Sequence, residues 1–194
     1  STSSLAGWAV WSLAPSREQS DLRGVTRFAV QPPPATRIDA FDISPDGTAL
    51  TYVGRSRGAI RLFLRRLDQF ADSPISGTDG ASSPLFSPDG QWVAFFSGRR
   101  LLKVNVQTTA APILISDDID AWLNGATWLA DGTIIFSRAN HGLQRVSAEG
   151  GEAVPVTSLS QTPREFDHHS PTLLPGGQAL LFTVHAHDGR FNVV

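Results

Sequence analysis

A tetrapeptide that returns at near-constant spacing constrains this chain more than any other feature. Ser44-Pro45-Asp46-Gly47 recurs as Ser87-Pro88-Asp89-Gly90, and in degenerate form as Leu129-Ala130-Asp131-Gly132 and Leu174-Pro175-Gly176-Gly177. The closing glycines stand 43, 42 and 45 residues apart. In the full copies Pro presets φ for a tight turn, Asp accepts local backbone hydrogen bonds, and Gly takes the positive φ that closes a hairpin. Apolar columns flank every copy. Ile43, Phe86, Trp128 and Leu173 precede the turn, and Leu50, Val93, Ile135 and Leu180 follow three residues after the glycine. Tyr52, Phe95 and Phe182 come two residues later, with Phe136 standing in for them in the third copy, which is one residue shorter.

A third strand is expected in each unit, at 59–67, 101–106, 142–147 and 191–194, and a fourth at 112–116 and 153–157. Four short strands per repeat of this length, with turns at fixed offsets, are the signature of a propeller blade. The expected fold is therefore all-β: a β-propeller of four-stranded antiparallel blades, of which about three and a half are present. The partial propeller should occupy 22–194, with blades at about 38–80, 81–122 and 123–166 and an incomplete one at 167–194. Residues 25–30, ahead of the breaker Pro32-Pro33-Pro34, read as a lone closing strand that completes the last blade of the ring. Half a ring cannot close, and open strand edges adhere. A second chain, a second copy or further residues are expected to complete it.

Composition narrows the function classes. A net charge of −2 offers no basic face for nucleic acid. With no cysteine, neither a disulfide framework nor a thiolate metal site can form, which suits any compartment, an oxidising one included. Lys103 is the only lysine among 16 Lys and Arg residues, a bias of composition. Residues 5–14 form the only apolar run outside the repeats. Ten residues cannot span a bilayer, which takes about 20. Residues 1–21 thus read as a linker or as the remnant of a membrane anchor. Trp8 and Trp11, ahead of Pro15, resemble an interfacial edge, so a tether upstream of residue 15 stays open beside a segment packed on the domain.

The Ser-Pro-Asp-Gly units resemble the WD40-like, TolB-type (PD40) propeller repeats of bacteria. One set of stretches is more specific. It comprises Gly77-Thr78-Asp79-Gly80-Ala81, the second turn with Trp92-Val93-Ala94-Phe95-Phe96, Leu101-Leu102-Lys103-Val104, residues 145–152 and residues 173–182. Together they resemble the propeller behind the membrane helix of bacterial serine/threonine kinases, over most of residues 22–187. That resemblance implies an extracytoplasmic, membrane-tethered sensing or interaction module, with no catalytic residues to carry over. The third and fourth turns depart from the full motif, and the same repeat serves many unrelated proteins, so it speaks to fold before role.

Three constellations could carry chemistry. Gly54-Arg55-Ser56-Arg57-Gly58 matches the Gly-x-Ser-x-Gly nucleophile elbow, which needs a strand entering and a helix leaving. Ser56 would then be an ester-cleaving nucleophile, with His168 or His169 as candidates for its base. Alignment with the other repeats instead makes this stretch a hairpin loop between two blade strands. Four of the five histidines, His168, His169, His185 and His187, fall in one window with Asp167 and Asp188. A hairpin turning at Pro175-Gly176-Gly177 should set His168 beside His185, with His185 and His187 on one strand face. His168, His185, His187 and Asp167 at that spacing suit a divalent metal, Zn²⁺ or Ca²⁺, or a general base, although no cofactor is favoured. Equally, they could form a polar loop rim.

The third constellation is positional. Asp39, Ser82, Asn124 and His169 sit at equivalent points of the four first strands, near one mouth of the central channel, where a propeller commonly presents a ligand face. Arg55, Arg57, Arg61, Arg65 and Arg66 form the one basic cluster, expected on a solvated strand. Two functional classes follow: a non-catalytic sensing or interaction module that binds a protein or small molecule, and a propeller-fold hydrolase, esterase or metal-assisted lactonase.

Overall fold

A computed structural model describes residues 29–108, 110–117, 119, 125–162 and 164–194. The chain divides into two compact units, Ser1–Gln31 and Pro32–Val194, and the description that follows is of the second. The expected linker or anchor at 1–21 lies outside the described residues, as does Asn124. Of the expected closing strand at 25–30 only residues 29 and 30 are described, and neither is in a strand. No helix among the described residues is long and apolar enough to cross a membrane.

Among the described residues fifteen strands form four separate antiparallel sheets, each in sequence order. The first holds β1 (Thr36–Ile43), β2 (Ala49–Ser56), β3 (Ala59–Arg66) and β4 (Asp72–Pro74). The second holds β5 (Ala81–Phe86), β6 (Trp92–Ser97), β7 (Arg100–Asn105) and β8 (Ile113–Ser116). In the third are β9 (Ala126–Trp128), β10 (Thr133–Phe136), β11 (Gln144–Ser147) and β12 (Val154–Pro155). The fourth has three strands, β13 (Glu165–Leu173), β14 (Leu180–Ala186) and β15 (Phe191–Val193). The first strands of successive sheets, β1, β5, β9 and β13, neighbour one another and make the inner wall. This is a partial propeller of three four-stranded blades and a three-stranded fourth.

The repeated turn is a small hydrogen-bond knot. Ser44 Oγ donates to Asp46 Oδ1 at 2.6 Å while accepting the Ala49 N–H at 2.9 Å, and Asp46 Oδ1 also accepts the Thr48 N–H at 3.0 Å. Gly47 closes it at φ 69°, donating to the Ser44 carbonyl. Ser87, Asp89 and Gly90 repeat the arrangement, with Trp92 N–H on Ser87 Oγ at 2.9 Å. The third turn keeps the Asp131 bond to the Thr133 N–H but, having Leu129 in place of the serine, lacks the hydroxyl half.

Packing explains why β6 is apolar without interruption from Trp92 to Phe96. Val93 and Phe95 of β6 point into a cluster with Val53, Leu62 and Phe86 of the neighbouring strands, between the first and second blades. Ala94 and Phe96 point the other way, into a cluster with Ile115, Ile134, Phe136 and Val146, between the second and third. Alternate side chains of a strand face opposite sides, so a strand sandwiched between two blades buries both. Polar ties join the same blades. Asp42 Oδ2 accepts the Phe86 N–H at 2.7 Å, and burial pushes the Asp42 carboxyl up from its ordinary value. The buried Lys103 lies 5.0 Å above the Trp92 ring and donates to Glu149 of the third blade at 2.8 Å.

The basic cluster is largely paired. Arg55 meets Asp39 at 2.9 Å, Arg61 meets Asp79 at 3.0 Å, and Arg65 meets the buried side of Asp72 at 2.9 Å, where the Tyr52 hydroxyl also donates. Strand β4, for which the sequence offered no expectation in the first blade, is held by this Tyr52–Asp72–Arg65 group.

The turn chemistry sets an acid response. The Ser44 hydroxyl, then the Thr48 N–H and hydroxyl, lower the Asp46 pKa from 3.8 to about 2. A depressed folded-state pKa contributes stability that is complete above the unfolded value and lost as pH falls through the folded one. Asp46→Ala should therefore be less stable than the wild type at pH 5 in urea unfolding, with the gap closing between pH 4 and pH 2. A gap that stays constant over that range would show the carboxylate to be without this role.

Candidate functional site

The inner wall is interrupted in the same place in several blades. In β1 the pairing skips from Ile38 to Ala40, leaving Asp39 as the bulged residue. In β5 it skips from Ser82 to Leu85, with Ser83 at φ 45°, and in β13 from His169 to Thr172, with Ser170 at φ 54°. Non-glycine residues seldom take positive φ, and bulges of this kind re-aim the neighbouring side chain. The sequence carries a signal for it. Ser83-Pro84 and Ser170-Pro171 stand at one offset from their turn glycines, and proline cannot donate to a strand ladder.

Asp39 and Ser82 are brought together: both line one cavity of about 470 Å³, with Val53, Arg55, Ile60 and Ser83. Asp39 is already clasped by two guanidinium groups, Arg37 Nε at 3.1 Å and Arg55 Nε at 2.9 Å. Ser82 Oγ donates to the Phe96 carbonyl at 3.2 Å.

His169 belongs to a cluster on the fourth blade. Asp167 lies directly opposite His185 in the β13–β14 pairing, and His169, two residues on, shares its face. His169 Nδ1 is 2.9 Å from Asp167 Oδ1, and His185 Nδ1 is 3.7 Å from the same oxygen. Phe191 of β15 stacks on His185 at 4.4 Å with 16° between the planes, and meets His169 edge-on at 5.9 Å. Phe166 sets its ring against both His185 and His187. A carboxylate holding Nδ1 of an imidazole orients its Nε2 outward, an arrangement suited to accepting a proton or a polar ligand.

His168 does not sit beside His185 as the hairpin arithmetic expects. Its partner across the ladder is Val184, because β13 carries one extra residue between His169 and Thr172, at the Ser170-Pro171 bulge. A shift of one residue moves a side chain to the other face of the sheet. There His168 is buried, with Nδ1 2.6 Å from Thr157 Oγ1, Nε2 3.0 Å from Glu165 Oε2, and its ring 5.0 Å from Phe182. The Glu165 carboxylate can only accept, so His168 Nε2–H donates to it; in the neutral ring Nδ1 then accepts from the Thr157 hydroxyl, whose oxygen takes the Leu143 N–H at 2.8 Å. Glu165 further accepts the Ser160 N–H, and this backbone bond foremost holds its carboxyl below its ordinary value. The chain Leu143–Thr157–His168–Glu165–Ser160 pins the third blade to the fourth. His168, His185, His187 and Asp167 consequently do not converge, and no group of three or more metal-ligating side chains gathers among the described residues.

Ser56 ends β2 opposite Ala59, across a two-residue turn of Arg57 at φ 50° and Gly58 at φ 83°. Two positive φ values are the mark of a type I′ hairpin, so an antiparallel strand leaves the serine where the elbow geometry needs a helix. Ser56 makes no hydrogen bond to a histidine among the described residues.

No protein-family model matches the chain, and no curated protein matches it. Solved structures do. TolB from Acinetobacter baumannii aligns with 81% of this chain and 43% of its own at 18% identity, with a TM-score of 0.55. TolB from Agrobacterium tumefaciens aligns with 60% and 48% at 21% identity and a TM-score of 0.51. The fold is a TolB-type β-propeller. An oligogalacturonate lyase of Vibrio parahaemolyticus shares it too, over 79% of this chain and 48% of its own, at 15% identity and a TM-score of 0.58. The chain spans less than half the length of each of these propellers.

The hydrogen bonds of His168 make a measurable claim. Nitrogen-15 NMR of the imidazole should show Nε2 protonated and Nδ1 bare near pH 7.5. Replacing His168 with Leu, which strands both Thr157 and Glu165, should cost about 1–3 kcal/mol of unfolding free energy. The opposite tautomer, or a substitution without cost, would remove the pin.

Proposed function

We propose that this TolB-type propeller is a non-catalytic interaction or sensing module of an extracytoplasmic bacterial protein, engaging a polypeptide partner at the open edge of its fourth blade. The observation that carries the reading is the character of β15. It is the last strand of its sheet among the described residues, and Phe191 and Val193 are 61% and 65% exposed. Val194 N–H and C=O pair with Phe182, and the Arg190 carbonyl accepts from Ala186. The backbone groups of Phe191 and Val193, being out of phase with these, face away from the sheet. An unpaired strand carrying exposed apolar side chains is a template for strand addition. The stacked His185–Phe191 pair and the Asp167-held His169 lie along the same strands and would flank an added strand.

Placement outside the cytoplasm, a membrane tether and a kinase upstream rest on the likeness of the repeats to kinase-associated propellers, and belong to this proposal. The second reading, a hydrolase, draws on one observation, the 2.9 Å Asp167–His169 pair in a partly open position.

Two measurements separate the readings. In sedimentation velocity the purified chain should run heavier than the 20.8 kDa monomer, two copies pairing through β15. Val193→Pro, which deletes an outward N–H and spares the inward bonds of Val194, should return it to the monomer without loss of stability. A wild type that stays monomeric at all concentrations would defeat edge pairing between copies. On short-chain p-nitrophenyl esters no turnover above buffer is expected; turnover abolished by His169→Ala would make the chain a hydrolase instead.

A further inference from the structure

Between the second and third blades an arginine has a buried nitrogen without a partner among the described residues. Arg138 lies two residues beyond β10, and its Nε is buried with no hydrogen-bond acceptor. The side chain lines a cleft of about 450 Å³ together with Asp117, Ile119, Phe136, Glu152 and Ala153. Ile119 and Phe136 are buried members of the core between these blades and give the cleft an apolar floor. Asp117 and Glu152 are exposed, and neither forms an ion pair with Arg138 among the described residues.

A buried guanidinium N–H is costly to leave unmade, because it gives up water without gaining an acceptor. Two carboxylates line the same cleft and leave it unpaired, and no described residue supplies the acceptor it lacks. The signs of the lining restrict what can. A simple anion would meet Arg138 but be repelled by Asp117 and Glu152; a simple cation would meet the reverse. A molecule carrying both signs satisfies all three groups. The volume is in the lower part of the range of small-molecule pockets, and the floor asks for an apolar stem.

We propose that this cleft binds a small zwitterion, an amino acid or short peptide with an apolar side chain. Its carboxylate meets the Arg138 guanidinium, its ammonium meets Asp117 and Glu152, and its side chain rests on Phe136 and Ile119. The site is separate from the β15 edge and from the Asp167–His169 cluster, and it stands whether or not the edge pairs with a partner.

Isothermal titration of the 194-residue chain with L-leucine and L-alanyl-L-leucine tests it. At least one of the two should bind, with leucinamide, which lacks the carboxylate, and N-acetyl-leucine, which lacks the ammonium, each at least tenfold weaker. Arg138→Gln should weaken the zwitterion at least tenfold and leave the melting temperature no lower, since it removes a donor that has no acceptor. The Asp117→Asn, Glu152→Gln double variant, altered only at exposed positions, should weaken the zwitterion and leave N-acetyl-leucine unchanged. It carries the test alone if Arg138→Gln does not fold. The proposal is overturned if neither zwitterion binds, if a blocked form binds equally well, if inorganic phosphate competes for the site, or if the variants bind as the wild type does.

Discussion

The central strand of each blade is apolar on two faces, and a single sheet cannot bury both. Val93 and Phe95 need the first blade, while Ala94 and Phe96 need the third. Stability is thus a property of neighbouring pairs, as in other stacked repeats. The turn knots, the polar ties and the candidate sites all depend on this sandwiching, because the inner strands are neighbours only when the second strands are packed. The two outer blades also leave apolar side chains exposed: Phe41 and Ile43 on the first, Phe191 and Val193 on the fourth.

Polar residues do different work at different depths. Near the inner wall, bulges at Asp39, Ser83 and Ser170 break the ladder and re-aim side chains toward one rim. Between blades, Asp42, Lys103 and His168 are spent on holding sheets together. Histidine illustrates the division. His168 and His169 are adjacent in sequence, yet one is a buried pin and the other part of an Asp–His–Phe cluster on the opposite face, because strand neighbours point apart.

Much of the candidate site was legible, within limits. Aligning the repeats placed Asp39 and Ser82 at equivalent positions, and the structure sets both in one cavity. The alignment could not show that Asp39 is occupied by Arg37 and Arg55, since those pairings depend on how side chains extend across the sheet. Hairpin arithmetic set His168 against His185 and was wrong by one residue, because a count from the turn passes over the bulge between His169 and Thr172, although Ser170-Pro171 marks it. Arg138 and its cleft left no mark in the sequence at all, as an unpaired charge is defined by what surrounds it.

The sequence by itself determined the turns, the blade repeat and the apolar columns. These are local: Ser44, Asp46 and Gly47 close their turn through bonds spanning five residues or fewer, and strand periodicity repeats every two. Tertiary structure alone decided which charges are paired and which polar side chains tie one blade to the next. Those outcomes rest on contacts between blades, such as Asp42 with Phe86 and Lys103 with Glu149, whose partners lie 44 and 46 residues apart. Packing of one blade on the next brings such distant partners within reach, and a local pattern of residues does not encode that reach.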